Sequence, residues 1–341
     1  MESLPVDAEV YRAEFFDDKS LVAFAFVVLC KERRRHIFHR EIVYLNEYPV
    51  QGYDFVIEYN DFVCQCRGTN STGLWHALIV ALRESFSLDE ICIRLTSRKN
   101  VQELISIAKE SDLNIDVEKE DGDAFADFSL FDSWYALERG LLSSNKRSQI
   151  SRSNRSYAGR YGEIVLKEAD SQDEALLWFS LMGEYHTKTW NERSLPGVFS
   201  ESAWVAFHER VIKVGFPKGE VQLLRVSAGD HCVGYLYNFL RERKVYNIQS
   251  GFYYEAENKY KPGILSHYLA MRYCYSKGLI EYHFLAGGES YKKSLSNESV
   301  RLQTVSLKER HFSMRLEEGL VFLVRKAKQL MRKAKLYFYS G

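Results

Sequence analysis

The sequence has little cysteine, and none of it is arranged for metal or disulfide chemistry. Its 341 residues include six cysteines, of which the closest two, Cys64 and Cys66, are one residue apart in an alternating stretch. This spacing is typical of strand packing rather than of a zinc site or a redox dithiol. The scattered cysteines therefore predict a reducing compartment, the cytoplasm, and no structural metal.

The sequence also predicts no secretory signal and no membrane span, and it has no excess of charge. No basic and apolar leader is apparent, and the longest apolar run, Leu21 to Cys30, has about half the length of a transmembrane helix. The 46 basic residues balance 46 acidic ones, so DNA is not expected as a partner. A chain of 341 residues predicts two domains of ordinary size.

What the chain does have is a dense run of signals from residue 244 to residue 293. Val245 to Phe252 alternates as a strand does, the pair Pro262-Gly263 opens an apolar helix, and Glu281 to Leu285 follows as a second strand. A strand, a helix and a strand in so short a span predict a crossover unit with parallel strands. Ligands of such units collect at the carboxyl ends of the strands, where the helix N-terminus can hold a phosphate. An ordinary capped helix explains the same spacing, and both interpretations stay open.

The predicted order of strands and helices is similar in the two halves of the chain. The first half predicts a hairpin over residues 21–45, a helix that begins near Ser71, and a strand over residues 90–96. The second half predicts one strand, two helices, three antiparallel strands over residues 221–252, and then the crossover unit. The order of elements therefore suggests two copies of one unit, although their residues differ too much for a sequence repeat.

Two segments are rich in basic residues. A predicted helix over residues 133–157 carries a cluster between Lys146 and Arg155, which is either a solvated face or an anion-binding surface. Leu316 to Tyr337 predicts a basic amphipathic helix. Such a helix either packs on its own domain or lies on an anionic membrane.

Four linked motifs resemble those of the bacterial acetyltransferases of the CelD type, GNAT-related proteins of cellulose and exopolysaccharide synthesis with a BioF2-like acetyltransferase domain. They are YNIQSGF at 246–252, KPGIL at 261–265, YHFL at 282–285 and GESYK at 288–292. One position departs from the family, because His283 stands where an aspartate is usual. The histidine either replaces that carboxylate as a base or is structural.

The resemblance implies an α/β (α+β) fold of tandem GNAT-like acyltransferase domains with mixed, mostly antiparallel sheets and a C-terminal helix. It implies a non-catalytic N-terminal domain over residues 1–132 and a basic helical connector over 133–160. The acyltransferase domain would then cover residues 161–310, and the amphipathic helix residues 311–341.

The resemblance further implies direct acyl transfer from acetyl-CoA or another acyl-CoA to an amine or hydroxyl, without a metal. The acceptor would be a sugar or glycan precursor, small or lipid-linked, in polysaccharide or cell-envelope biosynthesis at the cytoplasmic face of the inner membrane. The implied catalytic residues are Glu289, Tyr291, His186 and His283. The implied cofactor-binding residues are Gln249, Ser250, Gly251, Pro262, Gly263, Ile264 and Leu265. The implied substrate-binding residues are Trp190 and Lys292.

Structural explanations compete with these roles. His186 and Trp190 are four residues apart on one predicted helix and can form a packed pair, while Glu289 and Lys292 can form a surface ion pair. Two other functions also stay open. One is a peptidoglycan aminoacyl transferase of the Fem type, which would dock aminoacyl-tRNA on the basic segment, and the other is a non-catalytic scaffold of a polysaccharide synthase complex.

Overall fold

The structure, a computed structural model, describes residues 8–34, 38–48, 57–64, 71–119, 122–286, 290–311, 316 and 326. The chain divides into two compact units, one of residues 1–120 with 301–341 and one of residues 121–300. Each unit is built on a seven-stranded mixed sheet, mostly antiparallel, with helices. The predicted α/β (α+β) class is therefore confirmed, while the predicted ranges of the connector and the C-terminal domain stay predictions.

The first unit takes its last strand from the far end of the chain. Its sheet has the strand order β1-β2-β3-β5-β14-β6, with β4 beside β2. The strands β3 and β5 are parallel and are joined through α1, whose Trp75 and Leu78 are buried in the core. Its elements are β1 (Ala8–Asp17), β2 (Ser20–Arg34), β3 (Phe38–Leu45), β4 (Val63–Cys64), α1 (Ser71–Ser85), β5 (Glu90–Ser97), α2 (Arg98–Glu110), β6 (Asn114–Lys119) and β14 (Leu302–Lys308).

The second unit has the strand order β13-β7-β12-β11-β10-β9-β8. Its elements are β7 (Asp123–Asp127), α3 (Trp134–Leu141), α4 (Ser144–Tyr161), β8 (Ile164–Glu168), α5 (Gln172–Glu192), α6 (Ser202–Gly215), β9 (Val221–Ala228), β10 (His231–Arg241), β11 (Lys244–Phe252), α7 (Pro262–Ser276), β12 (Glu281–His283), α8 (Ser290–Ser294) and β13 (Glu298–Val300). The crossover unit is confirmed, because β11 and β12 are parallel and α7 lies between them in sequence.

Strand β12 is shorter than the sequence predicts. It ends at His283 rather than at Leu285, because Leu285 has a φ of 59° and leaves the strand direction. The backbone N–H of Leu285 donates to the Asp123 carboxylate at 2.8 Å instead of to a neighbouring strand. The chain therefore bends sharply at the carboxyl end of β12.

Several predicted features lie outside the described residues. Gly287, Gly288 and Glu289 are among them, as is most of the predicted C-terminal helix, in which Leu316 and Lys326 are described and are helical. Across the described part of the chain, no helix combines the length and the apolar character needed to cross a membrane.

Candidate active site

The parallel strands of the second unit part soon after they pair. Lys244, Val245 and Tyr246 pair with Glu281, Tyr282 and His283, and β12 then ends. Strand β11 continues to Phe252, paired with β10 on its other side. Among the described residues, no strand pairs with residues 247–252 on the β12 side. The Ser250 N–H on β11 donates to the Gln249 side chain, Oε1, at 2.9 Å, so an extended ligand that pairs with this strand would displace that side chain and bind the backbone groups on this side.

A β-bulge lies where the strands part. Tyr237 of β10 is opposite Gln249 and Asn238 is opposite Asn247, so Ile248 is the extra residue of β11. The side-chain amide of Asn247 donates to the Gln249 carbonyl at 3.3 Å and to Asn238 Oδ1 at 2.8 Å. The bulge is thereby fixed by buried side chains of its own sheet.

The Asn247 amide begins a row of buried polar side chains across the sheet. Asn238 donates to Gln222 Oε1 at 3.0 Å, and Gln222 donates to Glu168 Oε2 at 3.2 Å. The Tyr273 hydroxyl of α7 donates to the same carboxylate oxygen at 2.7 Å. The row satisfies polar groups whose burial would otherwise destabilise the unit.

The N-terminus of α7 presents unbonded backbone N–H groups. Pro262 occupies its first turn, and no side chain caps it. The N–H of Lys261 donates to Ser153 Oγ at 3.0 Å, which ties this turn to α4. A Cβ added at Gly263 would lie 3.2 Å from the Phe252 ring, so the turn sits directly against the end of β11. Such a terminus favours an anion such as a phosphate.

Two lysines add positive charge at this helix terminus. Partial burial and, to a smaller extent, the nearby Lys261 charge lower the pKa of Lys146. Lys146 donates to Gln149 Oε1 at 3.1 Å, and Lys261 donates to Asn258. A polyanion bound here would relieve the repulsion between the two cations.

His283 lies between two carboxylates. Its Nδ1 is 2.5 Å from Asp123 Oδ2 and its Nε2 is 2.8 Å from Glu281 Oε2. The ring is buried and stacks on Phe125 and Tyr246, each with a centroid distance of 4.6 Å. Both ring nitrogens are therefore engaged within the sheet.

Glu281 connects this histidine to the surface. Its Oε2 is 2.7 Å from Lys244 Nζ. Burial raises the pKa of Glu281, but hydrogen bonds from Lys244 and His283 outweigh that effect and hold the pKa below its ordinary value. Lys244, Glu281, His283 and Asp123 thus form one continuous row of paired polar side chains.

Lys292 and Tyr291 lie next to the end of β12. The Lys292 ammonium is buried and donates to the carbonyls of Ala286 at 2.8 Å and Leu285 at 3.4 Å. The Tyr291 ring stacks on His267 of α7, with a centroid distance of 5.4 Å. Burial, with a smaller effect of the Lys292 charge, lowers the pKa of His267 to about 3. These residues form one cluster with the bend after β12.

The predicted pair on α5 is also packed. His186 is buried and stacks on Trp190 at 5.5 Å, and Phe199 packs on its ring at 5.2 Å. Burial, with a contribution from Arg193, lowers the pKa of His186 to about 4. Its described ring contacts are with α5 and the turn after it, not with the β11–β12 opening.

A cavity of about 370 Å³ lies between α5, the turn at residues 198–200 and α6. Phe179 and Phe199 supply apolar walls, while Thr187, Glu184 and Glu209 supply polar groups. On its sheet side α5 approaches β11 so closely that a Cβ at Gly251 would lie 2.4 Å from the Met182 carbonyl oxygen. The absence of a side chain at residue 251 therefore permits this packing.

The role of Asp123 could not be predicted from the sequence. This carboxylate lies on a short strand 160 residues before His283, and no spacing rule links the two. The polar residues Asn238 and Gln222 were missed for the same reason, because their pairing depends on the register of three strands.

The chain is similar to known proteins both in a segment of its sequence and in its fold. Residues 144–293 match the profile of the acetyltransferase (GNAT) domain family. No curated protein matches the chain. The structure of FemX is similar, with a TM-score of 0.55 at 9% identity over 88% of each chain.

Two further solved structures are similar. The C-terminal domain of a putative lysylphosphatidylglycerol synthetase from Agrobacterium fabrum has a TM-score of 0.54 at 11% identity, over 87% of this chain and 84% of that one. L-PGS from Bacillus licheniformis has a TM-score of 0.51 at 10% identity, over 87% and 84%. At such identities the likeness shows the fold alone. Residues 144–293 in the second unit thus match an acetyltransferase (GNAT) domain model, the solved structures show a shared fold, and the CelD type stays a prediction.

Proposed function

We propose that the second unit transfers an acyl group from an acyl-CoA thioester to an amine or hydroxyl of a sugar or glycan precursor, in polysaccharide or cell-envelope biosynthesis. The observation that carries this proposal is the opening between β11 and β12, with its bulge at Ile248 and the uncapped N-terminus of α7 beyond it.

The residues around the opening suit an extended donor with a phosphate group. The unpaired side of residues 247–252 can bond the amides of a pantetheine arm, as an added strand would. The N-terminal turn of α7 can bind the pyrophosphate, and Lys146 and Lys261 supply opposite charge. The thioester would then lie near Ile248, where the two strands part.

The cavity beside α5 suits a polar acceptor. Aromatic walls from Phe179 and Phe199 can pack on a sugar ring, and the carboxylates of Glu184 and Glu209 can accept hydrogen bonds from hydroxyl or amine groups. Trp190 lies on α5 as well, four residues after His186, and stays a proposed part of the acceptor site.

In the proposed reaction the bond from the acceptor nitrogen or oxygen to the acyl carbon forms as the carbon–sulfur bond breaks. Glu289 takes the acceptor proton, and Tyr291 gives a proton to the departing sulfur. The burial of His186 makes it a weak base, and both nitrogens of His283 are engaged by carboxylates. These features favour Glu289 over either histidine, although Glu289 lies outside the described residues.

Calorimetric titration with acetyl-CoA, followed by an assay of thiol release, tests the proposal. Coenzyme A and acetyl-CoA should bind, and thiol release should require an added amino sugar, neutral sugar or lipid-linked glycan. Glu289→Gln should lower kcat about a hundredfold without changing acetyl-CoA affinity, while Glu298→Gln, at an exposed position on β13, should not. If neither coenzyme A nor acetyl-CoA binds at millimolar concentration, the proposal is wrong.

A Fem-like aminoacyl transferase is the second candidate. It is favoured by the exposed Arg152 and Arg155 on α4, which offer cations to an RNA backbone. Aminoacyl-tRNA binding that weakens steeply with salt, without acetyl-CoA binding, would favour this function.

A further inference from the structure

The backbone at the end of β12 adopts a conformation that its residue type disfavours. Leu285 has a φ of 59°, in the left-handed region that residues other than glycine rarely adopt. The side chain of Leu285 is itself buried. Neighbouring groups must therefore hold this bend in place.

We propose that Asp123 and Lys292 hold the bend at Leu285–Ala286 and thereby place Tyr291 at the β11–β12 opening. Both are then positioning residues for the proposed acyl transfer, and their catalytic effect rests on that function. The sequence-based role of Lys292 was substrate binding, and its buried ammonium suits this internal role better.

Asp123 holds the amide side of the bend. Its Oδ1 accepts a hydrogen bond from the Leu285 N–H at 2.8 Å, and its Oδ2 lies 2.5 Å from His283 Nδ1. The Asp123 side chain is fully buried. A buried carboxylate with fixed partners on both oxygens leaves the Leu285 amide little freedom.

Lys292 holds the carbonyl side. Its ammonium donates to Ala286 O at 2.8 Å and Leu285 O at 3.4 Å, so the two carbonyls of the bend point at one cation. Lys292 directly follows Tyr291 on α8. The same contact that holds the bend therefore keeps Tyr291 near the end of β12.

Tyr291 is held from its other side by α7. Its ring stacks on His267, whose side chain is buried and whose Nδ1 is 3.1 Å from the Tyr282 hydroxyl. The position of Tyr291 is thus set by β12 through Lys292 and by α7 through His267. Loss of the Lys292 contact removes one of these two supports.

The experiment compares Asp123→Asn, Asp123→Ala, Lys292→Met and Lys292→Arg with two exposed controls, Asp132→Asn and Lys293→Met. The first measurement is hydrogen exchange of the Leu285 and Ala286 amides. It needs no substrate, so it decides whether the bend is held even if the protein transfers no acyl group. The second is kcat against the dissociation constant of acetyl-CoA.

We expect Asp123→Ala and Lys292→Met to speed exchange at the bend about tenfold and to lower kcat about tenfold or more, with acetyl-CoA affinity unchanged. Lys292→Arg should restore part of the loss, because it keeps the cation. Asp123→Asn keeps an oxygen for the Leu285 N–H, so it should affect exchange less and covers the case in which Asp123→Ala does not fold.

Exchange at Leu285 and kcat within twofold of the two controls would overturn the proposal. Faster exchange with unchanged kcat would limit Asp123 and Lys292 to a structural role and overturn their positioning role. If wild type shows no transfer with any acyl-CoA, the proposed function fails, and the exchange data still decide how the bend is held.

Discussion

Both units contain a parallel wedge, meaning a pair of parallel strands that part after three paired residues, and among the described residues a third segment fills the wedge of the first unit alone. In the first unit Ile42, Val43 and Tyr44 pair with residues 90–92, and the strands β3 and β5 then part. In the second unit β11 and β12 also pair through three residues before they part. The wedge itself therefore belongs to the fold and does not define a ligand site.

Asn60 fills the wedge of the first unit. Its backbone N–H donates to the Leu95 carbonyl of β5 at 3.2 Å, and its side-chain amide donates to the Leu45 carbonyl of β3 at 2.8 Å. Phe62 then packs on Trp75 of α1 at 4.5 Å. Internal hydrogen bonds occupy the groups that a ligand would need, which supports a structural role for this unit.

Acidification should produce the largest difference in stability between the two units. His186, His208 and His267 are buried in the second unit, and burial lowers their pKa values to about 4, about 4 and about 3. Because these values lie below that of an unfolded histidine, about 6.5, the unfolded chain binds more protons as the pH falls from about 6.5 towards 4. The stability that the three neutral histidines contribute is fully present above this pH range and is lost as the pH falls through it.

The loss should reach roughly 3 kcal/mol for each histidine. Hydrogen exchange at pH 7 and pH 4.5 should show the second unit opening first. Earlier opening of the first unit would contradict this prediction.

A side chain at the N-terminus of α7 should block the proposed phosphate site beside the wedge of the second unit. We expect Gly263→Val to weaken acetyl-CoA binding about a hundredfold, because its methyl groups occupy the space in front of the N–H groups, leave them without a phosphate partner and press on Phe252. Gly73→Val, near the start of α1 where a Cβ meets open space, is the matched control. Calorimetry should find the control equal to wild type, and equal losses in both variants would remove the difference between the wedges.

Removal of the Asn60 side-chain amide should destabilise the first unit without changing catalysis. Asn60→Ala deletes the amide that bonds the Leu45 carbonyl, so the free energy of unfolding should fall by about 2 kcal/mol. Denaturant unfolding measures this loss, and KM for acetyl-CoA should not change. A changed KM would mean that the first unit takes part in donor binding.

The two lysines near α7 should have the smallest effect. Lys146→Met combined with Lys261→Met should weaken acetyl-CoA binding about fivefold at low salt and less at high salt. Lys277→Met, at the opposite end of α7, controls for the removal of one positive charge from the same helix, away from the proposed phosphate site. A salt-independent loss in the double variant would indicate a packing effect instead.

Local signals in the sequence were sufficient for the crossover unit. The alternation before Phe252 and the pair Pro262-Gly263 act within a few residues, so β11 and α7 were predictable. Asn60 and Asp123 were not, because each acts on strands distant in sequence. Strand β14 was missed too, since its partners β5 and β6 lie about two hundred residues earlier.

The buried amide row has a direction that reaches the bulge. Asn247, Asn238 and Gln222 each donate to the next residue, and the sequence of donors ends at the Glu168 carboxylate, which can only accept. The carboxylate on β8 and the Gln249 carbonyl at the bulge, three strands apart, therefore select the same direction for every amide between them. A neutral amide at position 168 would remove one of these two constraints, and the Gln249 carbonyl would still hold the Asn247 amide at the bulge.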